Sequence, residues 1–247
     1  MKLFRLIAIF LSLVAPAFGE EASVAFFTKG NEALASGDFR SAVEAYQEQI
    51  KTTVPDAALL FNLGNAHYRL GEYGPAILAY EQALVLDPHA EDIRTNLRLA
   101  RDRATAFEES TPSIWGTPLF WLSLEEWMIA GLIALTILAV VSVAHGIAGE
   151  KIPRSPLRFL FVTSLAMLLL AAAALAIRSD ELDRGIVVKA DAKVRLSPFP
   201  TAEVVATLPA GRSVEIEKEH EGYYRIANGW IAKTDAAPVY ALSEKID

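Results

Sequence analysis

The chain has 247 residues, 53% hydrophobic and 21% charged, with a formal net charge of −7. That balance argues against a nucleic-acid partner, which needs a basic stripe. The absence of cysteine excludes disulfides and thiolate metal sites. The apolar residues gather in a few blocks, the pattern of a membrane protein with soluble parts.

Residues 1–19 have the layout of an export signal. Lys2 and Arg5 precede an apolar core, Leu6 to Val14, and then "APAFG" supplies small residues for a peptidase. The alternative is an uncleaved anchor. Either reading places the following residues outside the cytoplasm.

Residues 23–107 repeat with a period of 34. Gly30 and Gly64, Asn31 and Asn65, Gly37 and Gly71, Ala42 and Ala76, and Tyr46 and Tyr80 all obey it. The small residues at Gly64 and Ala83 predict close helix crossings. Gly71 predicts a left-handed turn, and Pro88 a helix end. Glu91 to Phe107 continues the period without a second helix, so it is expected to cap the array. This pattern resembles the tetratricopeptide repeat. The resemblance implies stacked helical hairpins whose groove binds extended peptides or helices. Carried over by position, the groove residues are Phe27, Asn31 and Leu34, then Phe61, Asn65, Tyr68 and Arg69, with Arg103 a further 34 on. The asparagines resemble an amide clamp for a peptide backbone, or else they only bridge helices. The lysines of a full carboxylate clamp are absent, and His67 stands where an aromatic is usual.

Residues 108–126 form an aromatic juxtamembrane linker with Trp115, Phe120 and Trp121. It ends in a capping box, Ser123 with Glu126. Residues 127–147 and 159–177 carry no charge and have the length to cross a bilayer. The loop between them, 148–158, holds Lys151, Arg154 and Arg158, which marks it as cytoplasmic. Both flanking segments then face outward. The small residues from Ala171 to Ala176 either permit close helix packing or are ordinary span residues.

Residues 184–240 switch to short alternating runs broken by Gly and Pro, and "NG" predicts a hairpin. The motifs "VRLSP", "LPAG" and "GWI" resemble the bacterial SH3-like domain. That implies a small β-barrel, with Tyr223, Tyr224 and Trp230 either as an aromatic surface or as filling.

No HExxH, GxSxG, Walker A or GxGxxG motif occurs, so an enzyme is not expected and no cofactor or metal is implied. Glu48, Glu72 and Glu81 are expected on exposed faces of the repeat. The fold class is therefore multidomain α and β: a tetratricopeptide α-hairpin solenoid, two transmembrane helices and a small SH3-like β-barrel. This order of parts resembles the BatE family of Bacteroides-aerotolerance membrane proteins. The family implies a scaffold in the bacterial cytoplasmic membrane, beside von Willebrand A-domain membrane proteins and a MoxR-type ATPase. The alternative is a peptidoglycan- or peptide-binding sensor that acts through the SH3-like segment.

Overall fold

The computed structural model describes residues 20–104, 122–147, 154–178 and 183–240. The export segment, the aromatics Trp115, Phe120 and Trp121, and Lys151 of the basic loop lie outside them. The chain divides into two compact units. One is made by the parts before and after the apolar helices, and the other is the apolar helix pair.

The first unit begins with five helices: α1 (Glu20–Ser36), α2 (Phe39–Thr52), α3 (Ala57–Leu70), α4 (Tyr73–Leu86) and α5 (Glu91–Ala104). Local chemistry sets their ends. The Asp38 carboxylate accepts from the Ser41 N–H at 3.1 Å, and Asp56 accepts from Leu59 at 2.7 Å. Gly71 closes α3 in the left-handed conformation, at φ 77°. Helices α1 and α2 pair, as do α3 and α4, because the glycine of the first helix admits a tyrosine of the second. A Cβ on Gly30 would sit 2.4 Å from the Tyr46 ring, and one on Gly64 2.5 Å from Tyr80. Both tyrosines are fully buried, each worth roughly 1.5–3 kcal/mol as a large apolar body withdrawn from water. Helix α5 buries Ile93, Leu97 and Ala100 against the second hairpin, as expected of a cap.

The chain after the apolar helices forms eight short strands. These are β1 (Arg184–Val187), β2 (Ala192–Arg195), β3 (Val204–Leu208), β4 (Ser213–Glu215), β5 (Lys218–His220), β6 (Tyr223–Ile226), β7 (Gly229–Ala232) and β8 (Ala236–Pro238). They make two antiparallel sheets, ordered β4-β1-β8 and β3-β2-β7-β6-β5. Strand pairing does not close them into one barrel. The run "SVEIEK", residues 213–218, is divided between β4 and the start of β5, which join different sheets. The "NG" hairpin is present one position early, with Ile226 opposite Gly229. Gly229 serves proximity there, since its Cβ would meet the Arg195 carbonyl oxygen at 2.5 Å.

The helical array and the strands share one core. Ile186 of β1 and Val239 lie in the same buried cluster as Leu60, Ile77, Tyr80, Ala83 and Leu97. The backbones come close at Gly74, where a Cβ would stand 2.4 Å from the Val188 carbonyl oxygen. Glu81 lies at the seam. Its two carboxylate oxygens take Arg101 of α5 and, at 2.7 Å, Arg184 of β1. Glu81 is only 4% exposed, which corrects its expected place on a solvated face. Burial of a carboxylate demands such partners. Glu48 and Glu72 do keep solvent contact.

The second unit is a pair of helices, α6 (Leu124–Ile147) and α7 (Arg154–Ile177). Residues 124–144 and 155–177 are long and apolar enough to cross a membrane, and only 17% of either stretch is buried. The capping box forms: the Ser123 N–H donates to Glu126 Oε2 at 2.6 Å, and the Glu126 N–H to Ser123 Oγ at 3.0 Å. Ala171 and Ala174 are buried beside Trp127, whereas Ala172, Ala173 and Ala176 point outward. Arg178 donates to the Leu122 carbonyl at 2.6 Å, tying the two chain ends. Helix α7 starts at Arg154, so residues 154–158 are helical rather than loop. Pro156 is tolerated there, because first-turn N–H groups have no helical acceptor.

Candidate functional site: the repeat groove

The same polar bridge occurs twice, 34 residues apart. The Tyr46 hydroxyl donates to Asn31 Oδ1 at 2.7 Å, and Asn62 Nδ2 donates to the same oxygen at 2.9 Å. The Tyr80 hydroxyl donates to Asn65 Oδ1 at 2.8 Å, and Asn96 Nδ2 does so at 2.8 Å. Each asparagine therefore ties its own hairpin to the next. The bridge engages the carbonyl oxygens of Asn31 and Asn65 and leaves the –NH2 groups of these two residues outside it. Burial pushes the Tyr46 hydroxyl up to about 12, opposed by the Asn62 hydrogen bond. Burial also raises Tyr80. Both therefore stay protonated donors across the physiological range.

Between α1, α3 and α5 lies an open depression of about 320 Å³. Leu34, Asn65, Tyr68 and Arg69, four of the residues carried over by position, line it together with Tyr80, Asn96 and Leu99. Leu99 is 45% exposed. It was legible by arithmetic, standing 34 residues after Asn65. Phe27 and Phe61 lie outside this lining and pack on Tyr46 and Tyr80, with ring centroids 6.2 and 6.0 Å apart. Asn31 belongs to the earlier bridge, and Arg103 is exposed on α5. The Arg69 guanidinium lies 4.6 Å from the Phe39 ring centroid. The depression thus offers an apolar wall, amide donors and one cation, a set suited to a peptide.

Residues 27–91 match the tetratricopeptide repeat family. The chain carries tetratricopeptide repeats. The match spans both hairpins and ends where α5 begins. The family is a non-catalytic protein-interaction repeat.

His67 sits behind this face at 7% exposure, with Nδ1 2.7 Å from Glu72 Oε2. Burial lowers its pKa, and Glu72 partly opposes the shift. Among the described residues no cluster of three His, Asp or Glu side chains has the arrangement to hold a metal.

The strands split the three predicted aromatics. Tyr224 pairs with Ile231 and packs against the β core. Tyr223 and Trp230 alternate to the opposite face. There the Arg225 guanidinium lies 5.6 Å from the Trp230 ring centroid, and the His220 and Trp230 centroids are 6.0 Å apart.

Proposed function

We propose that this protein is a membrane-anchored, extracytoplasmic scaffold whose repeat groove holds a segment of a partner protein. Following the BatE-like order of parts, the partner is a von Willebrand A-domain membrane protein in an envelope complex linked to oxygen or stress tolerance. The observation that carries the reading is the division of labour around the second hairpin. One side of it is covered in cis by the strands, and the other is the open depression lined by Asn65, Tyr68 and Leu99. The shared core adds support from chain connectivity. A core shared by residues 20–104 and 183–240 favours placing both on one side of a membrane, which supports an even number of crossings by the helices between them. Two spans satisfy that parity, and one does not. The β segment, with "LPAG" and "GWI" in place, is read as an SH3-like module that completes the repeat domain.

The test is capture from native membranes by the full chain, using Tyr68→Ala and Leu99→Asp as groove variants. A von Willebrand A-domain protein held by the parent and lost from both variants is the expected result. Equal capture by parent and variants would sink the groove as the binding site.

A further inference from the structure

The outer face of the five-stranded sheet is cationic, in a protein of net charge −7. The strand register lays Lys218, Arg225, Trp230, Arg195 and Val204 in one row across all five strands. The neighbouring row brings His220, Tyr223 and Lys193 to the same face. No acidic residue lies in either row. Glu217 stands at the margin, 3.8 Å from Arg225 Nε, and Glu221 lies 4.0 Å from His220. The β2–β3 hairpin at the end of the face is apolar and wet. Leu196 is 61% exposed and Phe199 54%, and Val204 and Val205 are also exposed. The opposite sheet carries the contacts to the repeats, so among the described residues no element packs over this face.

We propose that this face docks on a bilayer surface bearing anionic headgroups. The inference rests on reading α6 and α7 as spans. Cations complement the headgroups. Tyrosine and tryptophan favour the interfacial zone. A hydrated wall polymer gives no reward for exposing Leu196 and Phe199, whereas the acyl boundary does. Only residues 179–182 separate Arg178 from Asp183, a reach of at most about 18 Å. The chain thus tethers the strands to any bilayer that holds α7.

The chain has no cysteine, so single labels are clean. Full-length Phe199→Cys carrying a fluorophore is reconstituted into phosphatidylcholine vesicles, with and without phosphatidylglycerol, and lipid-borne quencher is added. Quenching is expected with phosphatidylglycerol. The docked-to-undocked ratio should fall about fivefold for each cation removed in Lys193→Gln, Lys218→Gln and Arg225→Gln. A label at Glu44→Cys, on the first hairpin, should stay unquenched. A Leu196→Cys label gives a second readout, which Phe199→Asp should abolish without touching the sheet. Absent quenching, or equal quenching in both vesicle types, overturns the proposal. Release of the label by soluble peptidoglycan fragments reassigns the face to the wall and also overturns it. Partner capture by the groove is measured separately, so the two readings fail separately.

Discussion

The two repeat hairpins share a backbone plan but live in different solvents. Helices α2 and α4 align residue for residue at the period of 34. Both bury the alanine and the tyrosine that define the hairpin. Their outer faces diverge. Arg40 becomes Gly74, Glu44 becomes Leu78, Gln47 becomes Glu81 and Lys51 becomes Val85. The first set faces water, and the second faces strands from the far end of the chain. One repeat unit thus serves as a free surface and as half of an interface, and the choice is written in the outward positions alone.

Glu81 tests this contrast most severely. Glu81→Ala removes the buried carboxylate that two arginines share at the seam and should cost about 3–5 kcal/mol, the scale for breaking a buried pair. Gln47→Ala, its counterpart, should stay within about 0.5 kcal/mol. Denaturant melts of the two variants decide the matter, and equal losses would erase the distinction. Gly74→Ala comes next, because its Cβ would meet backbone that cannot swing aside. A loss of about 1–3 kcal/mol is expected, while Arg40→Ala should be close to neutral.

A third pair sharpens what the hairpins share. Tyr46→Phe and Tyr80→Phe each remove one donor from an asparagine bridge. Each should cost about 1 kcal/mol, and by similar amounts. A much larger loss at Tyr80 would mean that the seam leans on the bridge.

The smallest effect is a pH dependence at His67, whose counterpart in the first hairpin is Ala33. Burial lowers its pKa in the fold below the ordinary 6.5. The unfolded chain therefore takes up the proton first as pH falls. Stability is full above about 6.5 and is lost as pH drops through the lowered folded value. Melting temperature against pH should show this decline in the parent and less of it in His67→Phe.

The repeat itself was legible in the sequence because its period fixes both glycines and both tyrosines. Four residues carried over by that period, Leu34, Asn65, Tyr68 and Arg69, fall in the lining of the depression. The seam was harder to read. Glu81 looks like Glu48 in isolation, and only the apolar drift of the residues around it marks a buried helix. Strand β8, "AAP", has little intrinsic strand preference and exists because β1 pairs with it. The start of α7 was missed because charge and proline suggested a loop, although a first turn accepts both.

The shared core also dictates an order of assembly. Ile77 must wait for Val239, and the two apolar helices are made between them. Until the last residues arrive, α4 keeps Leu78 and Val85 uncovered, a patch that invites proteases and chaperones. A chain cut short after α7 would carry every repeat and still be unfinished. Such a chain should be cleared from the cell faster than the complete protein, even with its groove intact.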